Sequence, residues 1–250
     1  MVITGLGLTG ALLRWLSAPL LLHRPAADRP DVRAETFAGA MGQGIALGIF
    51  GGFRPLVADF LWLQVQDRWE ARDLGGTLGH LRLTTAVDPQ PLAFWLNGAR
   101  IIAYDMTEWR LAGLTRGDAM SESVGKRIEA EQARMALAWL REAERFHPGT
   151  PVLQIERANV QLNRLHDVAA AAASYRSAAE LTDAPYYAAR LHAELLRRLG
   201  RKAEAYAWLR KIHPKLPPND AAAAAGLVLA RLRGLEADLA IPPRQRYRAD

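Results

Sequence analysis

An alanine that recurs every 34 or 35 residues constrains this 250-residue chain more than any other feature. Ala136, Ala171 and Ala205 each open the same pattern, with a bulky residue four positions later and a small or aliphatic residue seven positions later. These spacings place the residues on one stripe of a helix. In two of the three units a proline follows twelve positions after the alanine, where it ends the helix. A period of about 34 residues built from paired helices predicts a helical solenoid.

The composition favours an all-helical protein without thiol chemistry. Hydrophobic residues make up 50% of the chain and charged residues 23%, and the helix formers alanine and leucine contribute 45 and 37 residues. This balance argues against a disordered chain and against an all-β domain. The sequence contains no cysteine, which excludes disulfides, thiol catalysis and cysteine-ligated metal sites.

The paired-helix pattern resembles the tetratricopeptide repeat family. In that family the first helix of a repeat carries a large residue, two small residues three and four positions later, and then a second bulky residue. Four segments match or approach this pattern: Trp62, Val65, Gln66 and Trp69; Trp95, Gly98, Ala99 and Ile102; Ile155, Ala158, Asn159 and Leu162; and Ala189, His192, Ala193 and Leu196. Gly200 fits the turn after the last segment, and His166 stands in the same place one repeat earlier. The resemblance implies an all-α solenoid of about four helical hairpins within residues 55–217.

The second repeat is longer than the others. The distance from Pro89 to Pro148 exceeds one period by about 25 residues, and the excess falls at about 103–127. Insertions in repeat arrays usually form loops on one face and often carry the binding function. Two interpretations stay open, a functional loop or a lengthened surface turn with Trp109 tucked against the solenoid.

Residues 218–241 are expected to form a helix that covers the last repeat. The sequence from Pro218 to Asp220 is a favourable helix start, and an alanine-rich segment follows it to about Ala240. An open-ended solenoid needs such a cover, because its last unit cannot bury its apolar face alone. Residues 242–250 form a basic tail that we expect to be mobile.

The amino-terminal residues 1–54 are expected to associate with a membrane. Residues 36–53 carry no charge, and small residues recur every four positions within them, at Ala40, Gly44, Gly48 and Gly52. Such a row of small side chains favours close helix packing in lipid. Although the segment is short for a span, the absence of charge and the row of small residues favour a transmembrane helix over a re-entrant or interfacial segment and over a soluble one.

Residues 1–22 fit an interfacial or partly inserted helix, because Arg14 and Pro19 interrupt their apolar sequence. The segment from Gly51 to Trp62 resembles a group of uncharacterised bacterial membrane-anchored repeat proteins. That resemblance implies a bacterial inner-membrane location. Arginines are balanced on the two sides of the apolar segment, so the orientation is undetermined.

Catalytic signatures are weak. Gly5, Gly7 and Gly10 fit the G-x-G-x-x-G nucleotide pattern, but no preceding strand or βαβ unit accompanies them. The six histidines never pair at metal-ligand spacing, and no serine lies in a G-x-S-x-G elbow. We therefore expect no catalytic residue, no cofactor and no metal site, and keep a nucleotide-binding enzyme as a lesser alternative.

The family resemblance places a peptide-binding groove on the inner face of the first helices. Its expected partner-binding side chains are Arg100, Asn163, Tyr187, Arg190, Glu194 and Arg197. Arginine and asparagine hold extended peptides through backbone hydrogen bonds and bidentate contacts to carboxylates. Leu153, Glu156 and Val160 are expected to line the same face. An ordinary polar inner face is the alternative.

These observations predict a non-catalytic, membrane-anchored adaptor or scaffold that presents its groove to a protein or peptide partner. An integral structural subunit of a larger membrane assembly is the alternative, because it would use the same surfaces. Lipid is the expected second partner, through the amino-terminal region. No nucleic-acid partner is expected, because a solvated tail accounts for the basic residues at the carboxyl end.

Overall fold

The regular secondary structure in the described part of the chain is helical. The computed structural model describes residues 52–114 and 122–249, which belong to a compact unit spanning residues 51–250. Its α-helices are α1 (Arg54–Glu70), α2 (Leu74–Val87), α3 (Leu92–Arg100), α4 (Met106–Leu114), α5 (Glu122–Phe146), α6 (Pro151–Asn163), α7 (Val168–Ala179), α8 (Tyr186–Arg198), α9 (Lys202–Ile212) and α10 (Ala225–Asp238). A π-helix at Ile101–Asp105 joins α3 to α4, and 3-10 helices occur at His213–Lys215 and Pro243–Gln245. The all-α prediction is confirmed for these residues.

Neighbouring helices pack against one another in chain order. α1 packs on α2, α3 on α5, α6 on α7 and α8 on α9, and each of these pairs contacts the next. Such nearest-neighbour stacking is the defining property of a solenoid. The prediction of four successive helical hairpins is therefore confirmed for the described residues.

The recurring alanine stripes form the core between the hairpins. Ala136, Leu140 and Ala143 of α5 are completely buried. The corresponding buried stripes of α7 and α9 are Ala171, Tyr175 and Ala178, and Ala205 and Leu209. Small first-helix residues also serve packing, since a Cβ added at Gly98 would lie 2.8 Å from the ring of Trp139. The sequence period thus reflects one packing arrangement used repeatedly.

Three hairpin turns share one backbone conformation. Arg72, His166 and Gly200 have φ angles of +53°, +53° and +75°. This left-handed conformation commonly ends a helix and costs about 1–2 kcal/mol for a residue other than glycine. Asp73 and Asp167 follow the first two turns, and each carboxylate accepts a hydrogen bond of 2.9 Å from the backbone N–H three residues later. His166 therefore occupies the turn position predicted for it.

Helix, rather than loop, accounts for the described part of the predicted insert. Residues 103–114 continue α3 through the π-helix into α4, and residues 122–127 begin α5. The apolar stripe continues with them, because Ile102 and Met106 are both buried. The loop interpretation is wrong for these residues, whereas residues 115–121 lie outside the described ranges. Trp109 does contact the solenoid, as the surface-turn interpretation expected, with its ring 6.3 Å from that of Trp69 in α1.

The carboxyl-terminal helix covers the last hairpin but starts later than predicted. Residues 221–223 form turns and Ala224 has a φ angle of +49°, so α10 begins at Ala225. Val228, Leu232 and Leu235 of α10 are buried in a core cluster shared with α8 and α9. The helix thus packs on the last hairpin from Ala225 onwards, and its role as a cap stays a prediction.

The basic tail contacts α10 and the end of α9 through Tyr247. The backbone N–H of Tyr247 donates to Glu236 Oε1 at 2.7 Å, and Arg233 Nη1 donates to the carbonyl of Tyr247 at 2.7 Å. The Tyr247 hydroxyl lies 2.9 Å from His213 Nδ1. The backbone of Tyr247 thus has partners on α10, and the mobility of the tail stays a prediction.

The predicted membrane region falls almost entirely outside the described residues, as do Ala40, Gly44, Gly48 and the glycines of the nucleotide-like motif. Within residues 52–114 and 122–249, no helix combines the length and hydropathy needed to cross a bilayer. Gly52 is described, and it lies in a turn before α1 with a φ angle of +81°. The predicted helical row of small residues therefore does not extend to Gly52.

Candidate binding surface

The inner-face positions of α6 are buried by the longer second hairpin. The exposed fractions of Leu153, Glu156 and Val160 are 0%, 3% and 0%. Leu153 shares a core cluster with Trp95, and Val160 shares another with Ile102. The expectation that these three residues line an open groove is wrong, because α3 and the π-helix pack over them.

Arg100 is bound within the protein by the buried carboxylate of Glu156. Its Nε and Nη2 atoms donate to Oε1 and Oε2 at 3.2 and 3.0 Å, and this hydrogen bonding raises the pKa of Arg100 above its ordinary value. Asn159 donates to the same carboxylate at 3.4 Å and accepts a 2.6 Å hydrogen bond from the Tyr175 hydroxyl. Burial raises the pKa of Tyr175. Arg100 therefore stabilises the interface between α3 and α6, which limits its availability to a partner.

Asn163 lies in a small exposed cluster at the end of α6. Its Nδ2 atom is 3.5 Å from the Tyr104 hydroxyl, and the Arg164 guanidinium lies 4.6 Å from the centre of the Tyr104 ring. Arg164 also reaches Glu108 of α4 at 3.3 Å. This cluster links α6 to the π-helix and α4 and leaves the Asn163 amide accessible.

A cavity of about 290 Å³ lies between α8 and α10. Its lining residues are Tyr187, Arg190, Leu191, Ala193, Glu194, Leu209, Leu227, Val228 and Arg231. Three of the six predicted binding residues thus meet here, and Arg197 joins them through Glu194. Leu227 and Tyr187 are 60% and 42% exposed, which places them at the rim of an otherwise apolar cavity.

The charged side chains around this cavity are mostly engaged with one another. Arg190 Nη1 donates to the carbonyls of Ala222 and Ala223 at 2.9 and 3.0 Å, so Arg190 holds the segment that precedes α10. Glu194 accepts a 2.7 Å hydrogen bond from Arg197 and lies 3.4 Å from Arg231 Nη2. Three arginines face one glutamate, which leaves the rim positively charged.

The sequence reasoning missed the contribution of α10 to this surface. Leu227, Val228 and Arg231 belong to the segment that was assigned only a covering role. Leu227 and Arg231 are four residues apart, so they share one helix face. This spacing in α10, taken together with the first-helix pattern of α8, is the sequence signal that could have predicted a surface shared by the two helices.

A second cavity of about 380 Å³ lies between α2 and α5. Trp95, Met135, Trp139 and Phe146 supply much of its apolar wall, and Arg82 and Glu142 supply charge. The Trp139 ring is fixed there by a 2.9 Å hydrogen bond from Nε1 to the carbonyl of Trp95. The second helices of the first two hairpins, α2 and α5, supply most of this surface, and no sequence pattern indicated it.

The titratable groups of the described residues favour structural roles. No group of three or more potential ligands there is arranged to hold a metal ion. His192 is buried with its Nδ1 atom 2.7 Å from the carbonyl of Ala172 and its ring 4.8 Å from that of Trp208. Burial lowers the pKa of His192, because it disfavours the charged imidazolium.

The chain matches no protein-family model and no curated protein. Among solved structures, it is similar to a thermophilic TPR protein of Thermus thermophilus. The two share 19% sequence identity, the match covers 82% of this chain and 96% of that chain, and the TM-score is 0.39. Because this TM-score is low, the hairpin fold described above rests on the helices and contacts of this chain alone.

Proposed function

We propose that this protein is a non-catalytic, membrane-anchored adaptor that binds a peptide segment of another protein at the cavity between α8 and α10. The observation that carries the proposal is an apolar cavity with a charged rim, formed by a first helix and the capping helix. Small-molecule sites usually measure roughly 300–1,000 Å³, so a cavity of about 290 Å³ suits one anchoring side chain of a peptide. Buried anchors of this kind dominate the energetics of protein interfaces.

The lining of the cavity supports a partner that combines an apolar side chain with an acidic group. Leu191, Leu209 and Val228 suit an aliphatic or aromatic side chain. Arg231 is half-exposed, and its ion pair with Glu194 is loose at 3.4 Å, so its guanidinium is the best placed to bind a carboxylate. The expected ligand is therefore an apolar residue close to an aspartate, a glutamate or a carboxyl terminus.

Membrane anchoring through residues 36–53 is the second part of the proposal. Its support is the sequence alone, an uncharged segment of about the length that a bilayer requires. A bacterial inner-membrane location is proposed with it, on the resemblance of the segment from Gly51 to Trp62 to membrane-anchored repeat proteins. Flotation of the full chain with phosphatidylcholine vesicles tests this part independently of the peptide site.

The peptide site is tested by displaying random peptides against the full chain in detergent micelles. We expect the enriched peptides to combine one large apolar residue with a nearby acidic group. Arg231→Glu is expected to weaken their binding at least about tenfold, because charge reversal replaces attraction with repulsion. Arg145→Glu on α5 is the control, since Arg145 is exposed and pairs only locally with Glu142. Equal binding by both variants would refute this site.

An integral subunit of a larger membrane assembly is the second candidate function. The cavity between α2 and α5 favours it, because a second apolar surface on other helices suits a permanent neighbour. Native mass spectrometry of a detergent extract distinguishes the two functions. A subunit co-purifies at fixed stoichiometry, whereas an adaptor releases its partner on dilution.

A further inference from the structure

Helix α1 carries a row of exposed, large apolar side chains. They are Phe53, Leu56, Phe60 and Leu63, with exposed fractions of 61%, 66%, 47% and 59%. Spacings of four and three residues place Leu56, Phe60 and Leu63 on one face of α1, and Phe53 directly precedes the helix. The buried residues of α1, Ala58, Leu61 and Val65, occupy the other face. α1 is thus apolar on both faces over this length, although only one face packs on the solenoid.

A contiguous row of this kind is unusual on a protein surface. Single exposed apolar residues are common, whereas contiguous apolar patches mark contact with a partner or a membrane. The row extends over roughly 15 Å at 1.5 Å per residue. Asp67 ends it one turn after Leu63, so the beginning of α1 suits an apolar phase and its end suits water.

The row begins where the uncharged segment ends. Phe53 is the last residue of the segment 36–53 and the first residue of the row, and the turn at Gly52 separates α1 from what precedes it. This inference rests on the membrane anchoring proposed above. If the segment enters the bilayer, the row is tethered within a few residues of lipid and meets it at high effective concentration.

We infer that α1 lies in the membrane–water interface, with the face that carries Phe53, Leu56, Phe60 and Leu63 in contact with lipid. Interfacial helices insert such a face about 5–10 Å into the boundary between headgroups and acyl chains. The opposite face of α1 keeps its contacts with α2. The membrane therefore covers the amino-terminal end of the solenoid, as α10 covers the carboxyl-terminal end.

The charges of α1 indicate that apolar contact drives this docking. The helix carries Arg54 and Arg68 against Asp59, Asp67 and Glu70, so it has no positive excess to attract anionic lipid. Arg54 is also engaged, since its Nε atom donates to the carbonyl of Val87 at 3.2 Å. Docking is expected on zwitterionic vesicles and at high salt alike.

The test uses the natural absence of cysteine, which allows a single label at any chosen position. An environment-sensitive fluorophore is attached to Leu56→Cys or Leu63→Cys in the full chain, reconstituted into phosphatidylcholine vesicles. Ala173→Cys, at an exposed position of α7, is the control. We expect nitroxide-labelled lipid to quench the labels at 56 and 63 but not the label at 173. Aqueous iodide should quench the first two several-fold less than the control.

Each alternative outcome separates this inference from the anchoring proposal. If the labelled chain floats with the vesicles but iodide reaches positions 56 and 63 as freely as position 173, the docking is refuted and anchoring stands. If the two labels are protected from both quenchers, protein covers the row, either residues 1–51 or a second copy, and the docking is again refuted. A chain that does not float with the vesicles overturns both proposals.

Discussion

Replacing Glu236 with alanine is expected to loosen the carboxyl-terminal end of the solenoid. This carboxylate is 1% exposed and joins three parts of the chain. Arg233 Nη1 donates to its two oxygens at 3.2 and 2.9 Å, the Tyr206 hydroxyl donates at 3.1 Å, and the backbone N–H of Tyr247 donates at 2.7 Å. Glu236 thus connects α10, α9 and the tail.

The magnitude follows from the donors that lose their acceptor. The Tyr206 hydroxyl is buried and costs about 1–3 kcal/mol when left without an acceptor, whereas the Tyr247 N–H keeps a 3.2 Å hydrogen bond to that hydroxyl. Arg233 is half-exposed, so water replaces its lost hydrogen bonds and its contribution to the loss of stability is small. The expected loss is about 2 kcal/mol, or about 4–8 °C in melting temperature for a protein of this size.

The pKa of Glu236 provides a second readout. Burial raises this pKa, but the hydrogen bonds from Arg233, Tyr247 and Tyr206 outweigh it, and the net shift is downward. A lowered pKa in the folded state stabilises the protein above the unfolded pKa of about 4.3. That contribution is lost as the pH falls through the folded pKa. The acid sensitivity of this end of the chain should therefore disappear in Glu236→Gln.

Urea unfolding and hydrogen exchange of residues 202–249 measure the effect. In a solenoid the loss should concentrate in these residues, because each unit contacts only its neighbours. Glu236→Gln should lose less than Glu236→Ala, since an amide oxygen still accepts one or two of the bonds. Glu204→Ala is the control, because Glu204 makes an exposed pair with Arg201. The reasoning fails if Glu236→Ala and Glu204→Ala unfold at the same urea concentration with the same exchange pattern.

Three further predictions concern other parts of the structure. Burial lowers the pKa of His192 in the folded protein. The neutral ring therefore contributes its full stability above the unfolded pKa of about 6.5, and this contribution is lost as the pH falls through the folded pKa. NMR titration of the ring should show a pKa below the ordinary histidine value. Gly98→Ala should destabilise by about 1–3 kcal/mol, because the new Cβ would meet the facing tryptophan ring, whereas Gly79→Ala, with open space around it, should stabilise by about 1 kcal/mol in thermal melts. Arg100→Ala should lower the free energy of unfolding by about 3 kcal/mol, because the buried carboxylate of Glu156 loses its cation. In urea unfolding, the double variant with Glu156→Gln should regain most of this loss, because it no longer buries an unpaired charge.

The period of the sequence was sufficient to predict the hairpins because the same stripe is buried in every unit. Ala136 and its equivalents pack in the same way in each unit, so the same residue types recur at a fixed period that can be recognised in a single sequence. The turn at His166 was predictable for the same reason. The helical nature of the insert was also within reach, because Ile102 and Met106 continue the stripe of α3 at helical spacing.

The remaining features depend on contacts between residues far apart in the chain. Glu236 is 30 residues from Tyr206, and nothing in the local pattern of α10 distinguishes a buried carboxylate from a solvated one. The burial of Glu156 depends on α3 and the π-helix, which precede it by more than fifty residues. The binding-surface prediction erred on α6 because a family pattern places a residue on a helix face but does not show which neighbour covers that face.

The position of α10 sets a limit on the length of any bound segment. A peptide bound in the cavity along α8 meets α10, where Arg190 holds the carbonyls of the segment before α10 and Glu194 pairs with Arg231. The path stops there. Adding further hairpins to the carboxyl end would not lengthen the contact unless α10 were displaced, so an enlarged relative of this protein would have to insert its extra hairpins upstream of α8.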